Sequence, residues 1–179
     1  MMSCFPKRFY VKKLSQMITK QMYRYSTNYN DIPKDVKQFG ILICGSPPNV
    51  FTRFGDYGDM MINMLGNMES IKNGNEIWHK YKTLNNVLPN TDELSILDGI
   101  VITGSASDAH AYDENWINNL RCFIQKLYYD NRVKVRYNFK VLGICFGHQI
   151  ICNALNKGST GRNDNNLYEI GGVKLNLLD

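Results

Sequence analysis

Three short apolar segments, each followed by a glycine, most constrain how this chain can fold. They read "FGILIC", "GIVIT" and "VLGIC", and the glycines that follow them are Gly45, Gly104 and Gly147. Runs this short that are apolar at consecutive positions are typical of parallel strands covered on both faces. Helical patterns separate the strands, which predicts βαβ units with right-handed crossovers. We therefore expect an α/β fold with a mostly parallel sheet, helices on both faces, and functional residues at the carboxyl ends of the strands.

Periodic patterns fill the intervals between these segments. In "YGDMMINML" four apolar residues share one face of a helix, and a methionine stripe of this kind is expected to pack into the core. In "EIWHKYKTL" alternate residues fall into two sets, one for each face of a strand, which predicts a strand near an edge of the sheet. The strongest helical period spans residues 116–127. The apolar positions are Met60, Met61, Met64 and Leu65 in the first helix and Trp116, Ile117, Leu120, Phe123, Ile124 and Leu127 in the second.

The positive charge of the chain is concentrated at its amino terminus. The formal net charge of the 179 residues is +5, and residues 1–38 contain eight Lys/Arg and two Asp/Glu. The other 141 residues contain 13 basic and 14 acidic side chains and are therefore nearly neutral. A basic groove for phosphates is not predicted, so we expect no nucleic-acid partner. We interpret residues 1–38 as a basic N-terminal extension and residues 39–179 as one domain.

Two interpretations of the extension stay open. Its first 30 residues contain six Lys/Arg and no acid, which fits a mitochondrial transit peptide, whereas the excess of lysine over arginine also fits a disordered basic tail. Five cysteines at irregular spacing predict reduced thiols in a reducing compartment. No apolar run approaches the roughly 18 residues of a membrane span, so no membrane partner is expected. We place the chain in the cytosol, with the mitochondrion as the alternative.

Cys145 lies in "GICFGHQ", between a predicted strand and a predicted helix. A sharp strand-to-helix turn holds its central residue in a strained backbone conformation, so the residues two positions to either side, Gly143 and Gly147, must be small. The turn lifts the side chain above the sheet, and the N-terminus of the next helix favours the thiolate, the form that attacks. The pattern therefore predicts a nucleophile elbow with Cys145 as the nucleophile; a small buried core residue is the alternative.

Acyl transfer also needs hydrogen-bond donors for the developing oxyanion. The backbone N–H of Phe146, the residue after the cysteine, is one candidate. The loop after the third strand, residues 103–105, offers a second, because Gly104 has no side chain to keep a bound carbonyl away. Ser105, in the same loop, is predicted to line the substrate site. In the helix after Cys145, we expect the apolar residues Ile150, Ile151, Ala154 and Leu155 to face inward.

The remaining cysteines and the histidines have weaker patterns. No Cys-x-x-Cys pair occurs and Cys145 with His148 lacks a second ligand pair, so we predict no metal site and no cofactor. We expect His148 to pack or to bond the helix end rather than act as a base. His110 is expected in a solvated loop, with lining of the pocket as the alternative. His79 has no local motif. The cysteines expected in core packing are Cys44, Cys122 and Cys152.

At "GICFGHQ", with "DGIVITGS" before it and "YEIGGVKL" after it, the sequence resembles the class I glutamine amidotransferases. The branch it resembles is related to the glutaminase domain of GMP synthase and to plant gamma-glutamyl peptidases, and the resemblance runs from about Phe39 to the last residue. It implies a flavodoxin-like sheet in which Cys145 attacks glutamine or a gamma-glutamyl amide and forms a thioester that water resolves. It also implies that Gly104 and Phe146 supply oxyanion N–H groups and that Gln149 holds the glutamyl group. Glu169 matches a family position without a defined role.

The resemblance is incomplete at one point. The family completes its catalytic triad with a histidine and a glutamate in a downstream His-Pro-Glu type motif, which does not occur before Asp179. Because triad members act as a unit, the lack of a base is expected to cost several orders of magnitude in rate. Two functions therefore stay open: a cysteine hydrolase of gamma-glutamyl amides or peptides, and a binding or regulatory module without turnover. Ammonia delivery is less favoured, because it would need an acceptor protein, which is unknown.

Overall fold

The computed structural model describes residues 35–132, 140–156 and 160–161. Its strands and helices all lie in the unit Lys37–Asp179. The predicted division at residue 38 concerns residues that are mostly outside the described ranges and stays a prediction. The elements are β1 Lys37–Ile43, α1 Tyr57–Leu65, α2 Met68–Asn73, β2 Glu76–Lys82, α3 Thr91–Ile96, β3 Gly99–Ile102, α4 Asn115–Arg132, β4 Lys140–Gly143 and α5 Phe146–Leu155, with 3-10 turns at Asn49–Phe54 and Thr83–Asn85.

The four strands form one parallel sheet in the order β2-β1-β3-β4. The register pairs Leu42 of β1 with Ile102 of β3, and Ile102 with Gly143 of β4. The predicted α/β fold with a flavodoxin-like parallel sheet is confirmed, and among the described strands β2 lies at an edge, as predicted. The chain leaves β1 for β2 on one side and returns to β3 on the other, so the strand order reverses beside β1. In open α/β sheets, ligands bind outside the carboxyl ends of the strands at such a reversal.

Side chains alternate between the two faces of the sheet and build two apolar clusters. On one face Leu42, Ile100 and Ile102 pack with buried residues of α4 and α5. On the other face Ile41 and Val101 belong to a smaller cluster, which partly buried residues of α1 cover. Helices therefore lie on both faces, which explains why the strands are apolar at consecutive positions. The predicted core face of α4 is confirmed; Ile117, Leu120, Ile124 and Leu127 are buried, and Trp116 and Phe123 pack against them.

Helix α1 buries a different stripe from the one expected. Met64 and Leu65 are exposed, so the prediction that they pack into the core is wrong. The contacts with the sheet come from Tyr57, Met61 and Ile62. Both stripes have helical spacing, but only the one with Tyr57, Met61 and Ile62 packs against the sheet. The pattern showed that one face is apolar without showing which residues lie against the sheet.

The beginning of α1 is fixed by a reciprocal cap and by two ion pairs of Lys80, with Asp56 and with Asp59. The N–H of Asp59 donates to Asp56 Oδ1 over 2.9 Å, and the N–H of Asp56 donates to Asp59 Oδ2 over 3.1 Å. Lys80 Nζ on β2 lies 3.0 Å from Asp56 Oδ1. Burial alone would raise the pKa of Asp56, but the N–H of Asp59 and the Lys80 ammonium together hold that pKa below its usual value. The first turn of α1 is thereby tied to the edge strand.

The remaining edge of the sheet, β4, is only partly covered. Val141 and Leu142 are exposed, although they belong to a strand that is apolar in sequence.

In α5, Ile150 and Ala154 are buried and Ile151 packs against the core, as predicted, whereas Leu155 is exposed and its predicted inward position is wrong. Leu155 is the last residue of its helix. Within the described ranges, no helix combines the length and apolar character that crossing a bilayer requires.

Candidate functional site

Cys145 occupies a sharp turn between β4 and α5. Its backbone has φ 53° and ψ −111°, a combination that L-residues other than glycine rarely adopt. Among the described residues, Asn86 is the one other non-glycine with a positive φ. The Cys145 side chain is exposed. The structure therefore shows a thiol that is open to solvent on a backbone that is costly to maintain, by about 1–3 kcal/mol.

The two flanking glycines allow this turn to lie close against its neighbours. A Cβ on Gly143 would lie 2.5 Å from the carbonyl carbon of Gly147, and a Cβ on Gly147 would lie 2.2 Å from the backbone oxygen of Ile102 in β3. Both atoms that would be met belong to backbone, which cannot move aside as a flexible side chain could. The predicted need for small residues at Gly143 and Gly147 thus has a steric explanation in the structure.

The first turn of α5 begins directly at the cysteine. The N–H of Gly147 donates to the Ile144 carbonyl over 3.0 Å, and the N–H of Gln149 donates to the Cys145 carbonyl over 3.1 Å. The Phe146 ring is fully buried and packs against Trp116 of α4 at a centroid distance of 5.6 Å. The N–H of Phe146 donates to no backbone acceptor in the described part of the chain, as is usual for the first residue of a helix. The Gln149 side chain, one turn further along α5, is exposed.

The loop after β3 reaches the same turn. A Cβ on Gly104 would lie 3.6 Å from Cys145 Cβ, which is ordinary van der Waals contact, so Gly104 and Cys145 are direct neighbours. The Ser105 hydroxyl oxygen accepts a hydrogen bond from the N–H of Ser107 over 3.0 Å. The carboxyl ends of β3 and β4 thus place Gly104 beside Cys145, and Ser105 and Phe146 are the next residues along the chain; their roles in a substrate site stay predictions.

The loop after β1 and the start of α1 lie next to this site, and the contribution of Tyr57 was not predicted from the sequence. A Cβ on Gly45 would lie 3.2 Å from Ser105 Oγ and 3.3 Å from an edge carbon of the Tyr57 ring. Gly45 therefore adjoins the loop that carries Gly104, and Tyr57, the first residue of α1, lies beside Gly45. The signal available in the sequence was the glycine directly after the first apolar run, which stands at the position that Gly104 occupies after the third strand.

The cysteines differ in exposure, and one prediction about them is wrong. Cys44 is fully buried in the core as expected, but Cys122 is exposed on α4 rather than packed. Helix α4 buries the stripe around Ile117 and Leu120, and Cys122 lies on its opposite side. Cys152 is partly buried, with Sγ 3.8 Å from His148 Nε2 one turn earlier on α5.

We expect Cys44 to resist alkylation while the protein is folded. Burial raises the pKa of the Cys44 thiol from 9.0 to about 11, and the hydroxyls of Thr83 and Thr103 lower it only in part. Since the thiolate is the reactive form, iodoacetamide at neutral pH should modify Cys145 and Cys122 and leave Cys44 intact. Peptide mass spectrometry after timed quenching measures this, and labelling in denaturant gives the control in which Cys44 reacts. Rapid labelling of Cys44 in the native protein would contradict its placement in the core.

The three histidines all have partners other than Cys145. His79 Nε2 lies 2.6 Å from Gln38 Oε1. The predicted solvated position of His110 is wrong, because its Nε2 lies 3.0 Å from the Thr160 carbonyl oxygen and its Nδ1 lies 3.3 Å from Asp108 Oδ1. His148 is exposed and contacts Cys152. Groups of three or more potential metal ligands do not occur among the residues the structure describes. Glu169 lies outside the described ranges.

The structure belongs to the class of α/β proteins with a parallel sheet, and it carries an exposed cysteine on a strand-to-helix turn. Curated relatives identify the family. Gamma-glutamyl peptidases 4 and 5 of Arabidopsis thaliana are 34% and 32% identical, and the matches cover 64% and 70% of this chain and 41% and 45% of the relatives. A Saccharomyces cerevisiae protein named Putative glutamine amidotransferase is 35% identical over 79% of this chain and 56% of its own length.

The chain belongs to the class I glutamine amidotransferase-like family. It spans about half the length of the curated relatives it matches, with 41% to 56% of each covered in the three comparisons above. No protein-family model matches the chain, and no solved structure does.

Proposed function

We propose that Cys145 is the nucleophile of a gamma-glutamyl amide hydrolase and that the turn around it is a nucleophile elbow. The observation that carries the proposal is the backbone of Cys145, with φ 53° and ψ −111°, on an exposed thiol at the start of α5. A strained residue persists only where the surrounding structure holds it, and such residues cluster at active sites. The names of the Arabidopsis relatives give the substrate class, a gamma-glutamyl peptide.

In the proposed reaction the Cys145 thiolate attacks the carbonyl carbon of the gamma-glutamyl amide. The new C–S bond gives a tetrahedral oxyanion, the C–N bond then breaks, and the amine leaves after it takes up a proton from solvent water. The product on the enzyme is a gamma-glutamyl thioester. Water adds to the thioester carbonyl, the C–S bond breaks, and the gamma-carboxylate is released while the thiolate is restored.

The donors for the oxyanion come from two separate pieces of chain. The N–H of Phe146 lies directly after the nucleophile, and the N–H of Gly104 belongs to the loop that contacts Cys145. Fixed donors of this kind stabilise charge that develops only in the transition state. We assign Ser105 and Gln149 to binding of the glutamyl group, because both lie within one to four residues of these donors at the same sheet edge.

Binding without turnover is the second candidate. Within residues 35–132, 140–156 and 160–161, no hydrogen bond joins a histidine to the Cys145 thiol. A cysteine without a base has nothing to take its proton or to protonate the leaving amine. Such a protein would still bind a glutamyl group and could form one thioester slowly.

Labelling with a glutamine-analogue electrophile tests the proposed nucleophile. Such a reagent places its reactive carbon where the scissile carbonyl would lie. We expect modification of Cys145 in preference to Cys122, and we expect glutamine or a gamma-glutamyl dipeptide to slow it competitively. Peptide mass spectrometry assigns the site. Equal modification of Cys145 and Cys122, with no protection by either ligand, would refute the proposed function.

Measurement of turnover separates the two candidates. Purified protein is incubated with a gamma-glutamyl dipeptide, and the released amine is counted per mole of Cys145. Release of many equivalents indicates a hydrolase, whereas release of at most one equivalent together with selective labelling indicates a binding module. The Cys145→Ala variant gives the background for both measurements.

Gly104→Ala should separate folding from function. The added methyl group would lie 3.6 Å from Cys145 Cβ, so it fits without a clash but fills space beside the thiol. We expect the free energy of unfolding to stay within about 1 kcal/mol of wild type, because ordinary surface and loop substitutions have effects of this size. Selective labelling by the glutamine analogue should fall about tenfold or more, because the methyl group obstructs the oxyanion position. If the glutamine analogue labels this variant as fast as wild type, the substrate does not bind beside Gly104.

A further inference from the structure

Arg121 is a buried cation outside the proposed catalytic groups. It is 5% exposed and lies on the sheet-facing half of α4. Its Nε donates to Asn153 Oδ1 over 2.7 Å, and its Nη2 donates to the Ala109 carbonyl over 3.0 Å. The guanidinium also lies over the Tyr112 ring, 4.4 Å from the centroid. We call these four residues and Asn118, which accepts from Nη1, the Arg121 cluster.

The hydrogen-bond acceptors in the Arg121 cluster are neutral. They are the amide oxygens of Asn153 and Asn118 and the carbonyl oxygens of the loop. A buried charge is tolerated only when hydrogen bonds replace its lost hydration, and arginine can do this with five donors in one plane. A single point charge would not reach all these acceptors. The cluster therefore depends on the planar, branched shape of the guanidinium as well as on its charge.

The Arg121 cluster joins three pieces of chain. Arg121 belongs to α4, Asn153 belongs to α5, and Ala109 and Tyr112 belong to the loop between β3 and α4. Further bonds close the arrangement, because Asn153 Nδ2 donates to the Tyr112 hydroxyl over 3.2 Å and Asn118 Nδ2 donates to the Tyr112 carbonyl over 2.7 Å. The loop and α5 are thus held by one side chain.

The β3–α4 loop and α5 also carry the two proposed oxyanion donors. The loop begins with residues 103–105, beside Cys145, and α5 begins at Phe146. We infer that Arg121 is a positioning residue that holds the β3–α4 loop against α5 and so sets the distance between the N–H groups of Gly104 and Phe146. That this distance serves catalysis rests on the function proposed above. A displacement of about 1 Å in such a site can cost about a hundredfold in rate.

The test compares Arg121→Met with Arg121→Lys and with a control of similar stability loss. Leu127→Ala is a suitable control, because Leu127 is buried on α4 but lies outside the cluster. Three quantities are measured on the full chain: the free energy of unfolding, amide hydrogen exchange in residues 104–114 and 146–149, and alkylation of Cys145. Alkylation is measured with both the glutamine analogue and iodoacetamide. The rate constant for the glutamine analogue divided by that for iodoacetamide measures how much the pocket favours a glutamyl group over an unspecific reagent.

We expect amide hydrogen exchange in residues 104–114 to be faster in Arg121→Met than in Leu127→Ala when the two variants have lost the same free energy of unfolding. The ratio of rate constants should fall about tenfold or more in Arg121→Met and should stay unchanged in Leu127→Ala. Arg121→Lys should resemble Arg121→Met, because one ammonium group cannot bond both the loop and α5.

Equal changes in Arg121→Met and Leu127→Ala would overturn the inference, because the loop would then respond only to global stability. Full recovery in Arg121→Lys would overturn it as well. The proposed function fails separately: if wild type shows no selective labelling, Cys145 is not the nucleophile of a glutamyl site. Hydrogen exchange in the same variants still decides whether Arg121 holds the loop against α5.

Discussion

Gly147→Ala should unfold the carboxyl half of the described domain or strongly destabilise it. The new Cβ would lie 2.2 Å from the Ile102 backbone oxygen and 2.8 Å from the carbonyl carbon, so either α5 or β3 must move. Overpacking that displaces backbone costs several kcal/mol, and we expect a loss of about 3 kcal/mol or more. Urea unfolding followed by circular dichroism measures the change in the free energy of unfolding.

The chain offers two variants that calibrate this result. Gly143→Ala places its Cβ 2.5 Å from the carbonyl carbon of Gly147 and should also be strongly destabilising. Gly161→Ala meets no atom within 4 Å and should leave stability within about 0.5 kcal/mol of wild type. If Gly147→Ala is as stable as Gly161→Ala, then α5 does not lie this close to β3 and the geometry of the turn is wrong.

Replacement of Cys145 should abolish selective labelling while its effect on stability depends on the new residue. Neither glycine nor alanine carries a thiol, so we expect no reaction of the glutamine analogue at position 145 in either variant. Glycine adopts φ 53° without a Cβ penalty, whereas alanine retains the strain of about 1–3 kcal/mol. Cys145→Gly should therefore be more stable than Cys145→Ala by about 1 kcal/mol.

The control for this comparison is the same pair of substitutions at Cys122. Cys122 lies within α4, where glycine is less favourable than alanine by about 1 kcal/mol. The order of stabilities should thus be reversed at the two positions. The same order at both would show that the backbone of Cys145 is not strained in solution. Chemical denaturation of the four variants under one set of conditions measures this.

Much of the fold follows from local patterns of apolar and small residues in the sequence. β1, β3 and α4 were predictable because strands buried on both faces are apolar at consecutive positions and the apolar positions of α4 recur with a helical period. The turn at Cys145 was predictable for a different reason. Two glycines around one residue, between a strand and a helix, indicate a backbone that other residues cannot follow, and the structure has φ 53° there.

The failures have one cause, which is that a pattern identifies an apolar face without showing what it meets. Met64 and Leu65 are as apolar as Met61, yet only Met61 packs against the sheet. Cys122 is exposed because α4 turns its other side toward the core, and Leu155 is exposed at the last position of α5.

Sequence alone therefore determined the four strands, the three longest helices and the strained turn at Cys145, because each depends on residues near one another in the chain, whereas the short helices α2 and α3 were not predicted. Tertiary structure decided which loops meet that thiol. Gly104 and Cys145 are 41 positions apart in the chain and become neighbours through the register of β3 and β4. The Arg121 cluster was decided in the same way: a surface-type residue in the pattern of α4 becomes buried because α5 and the β3–α4 loop both supply its acceptors.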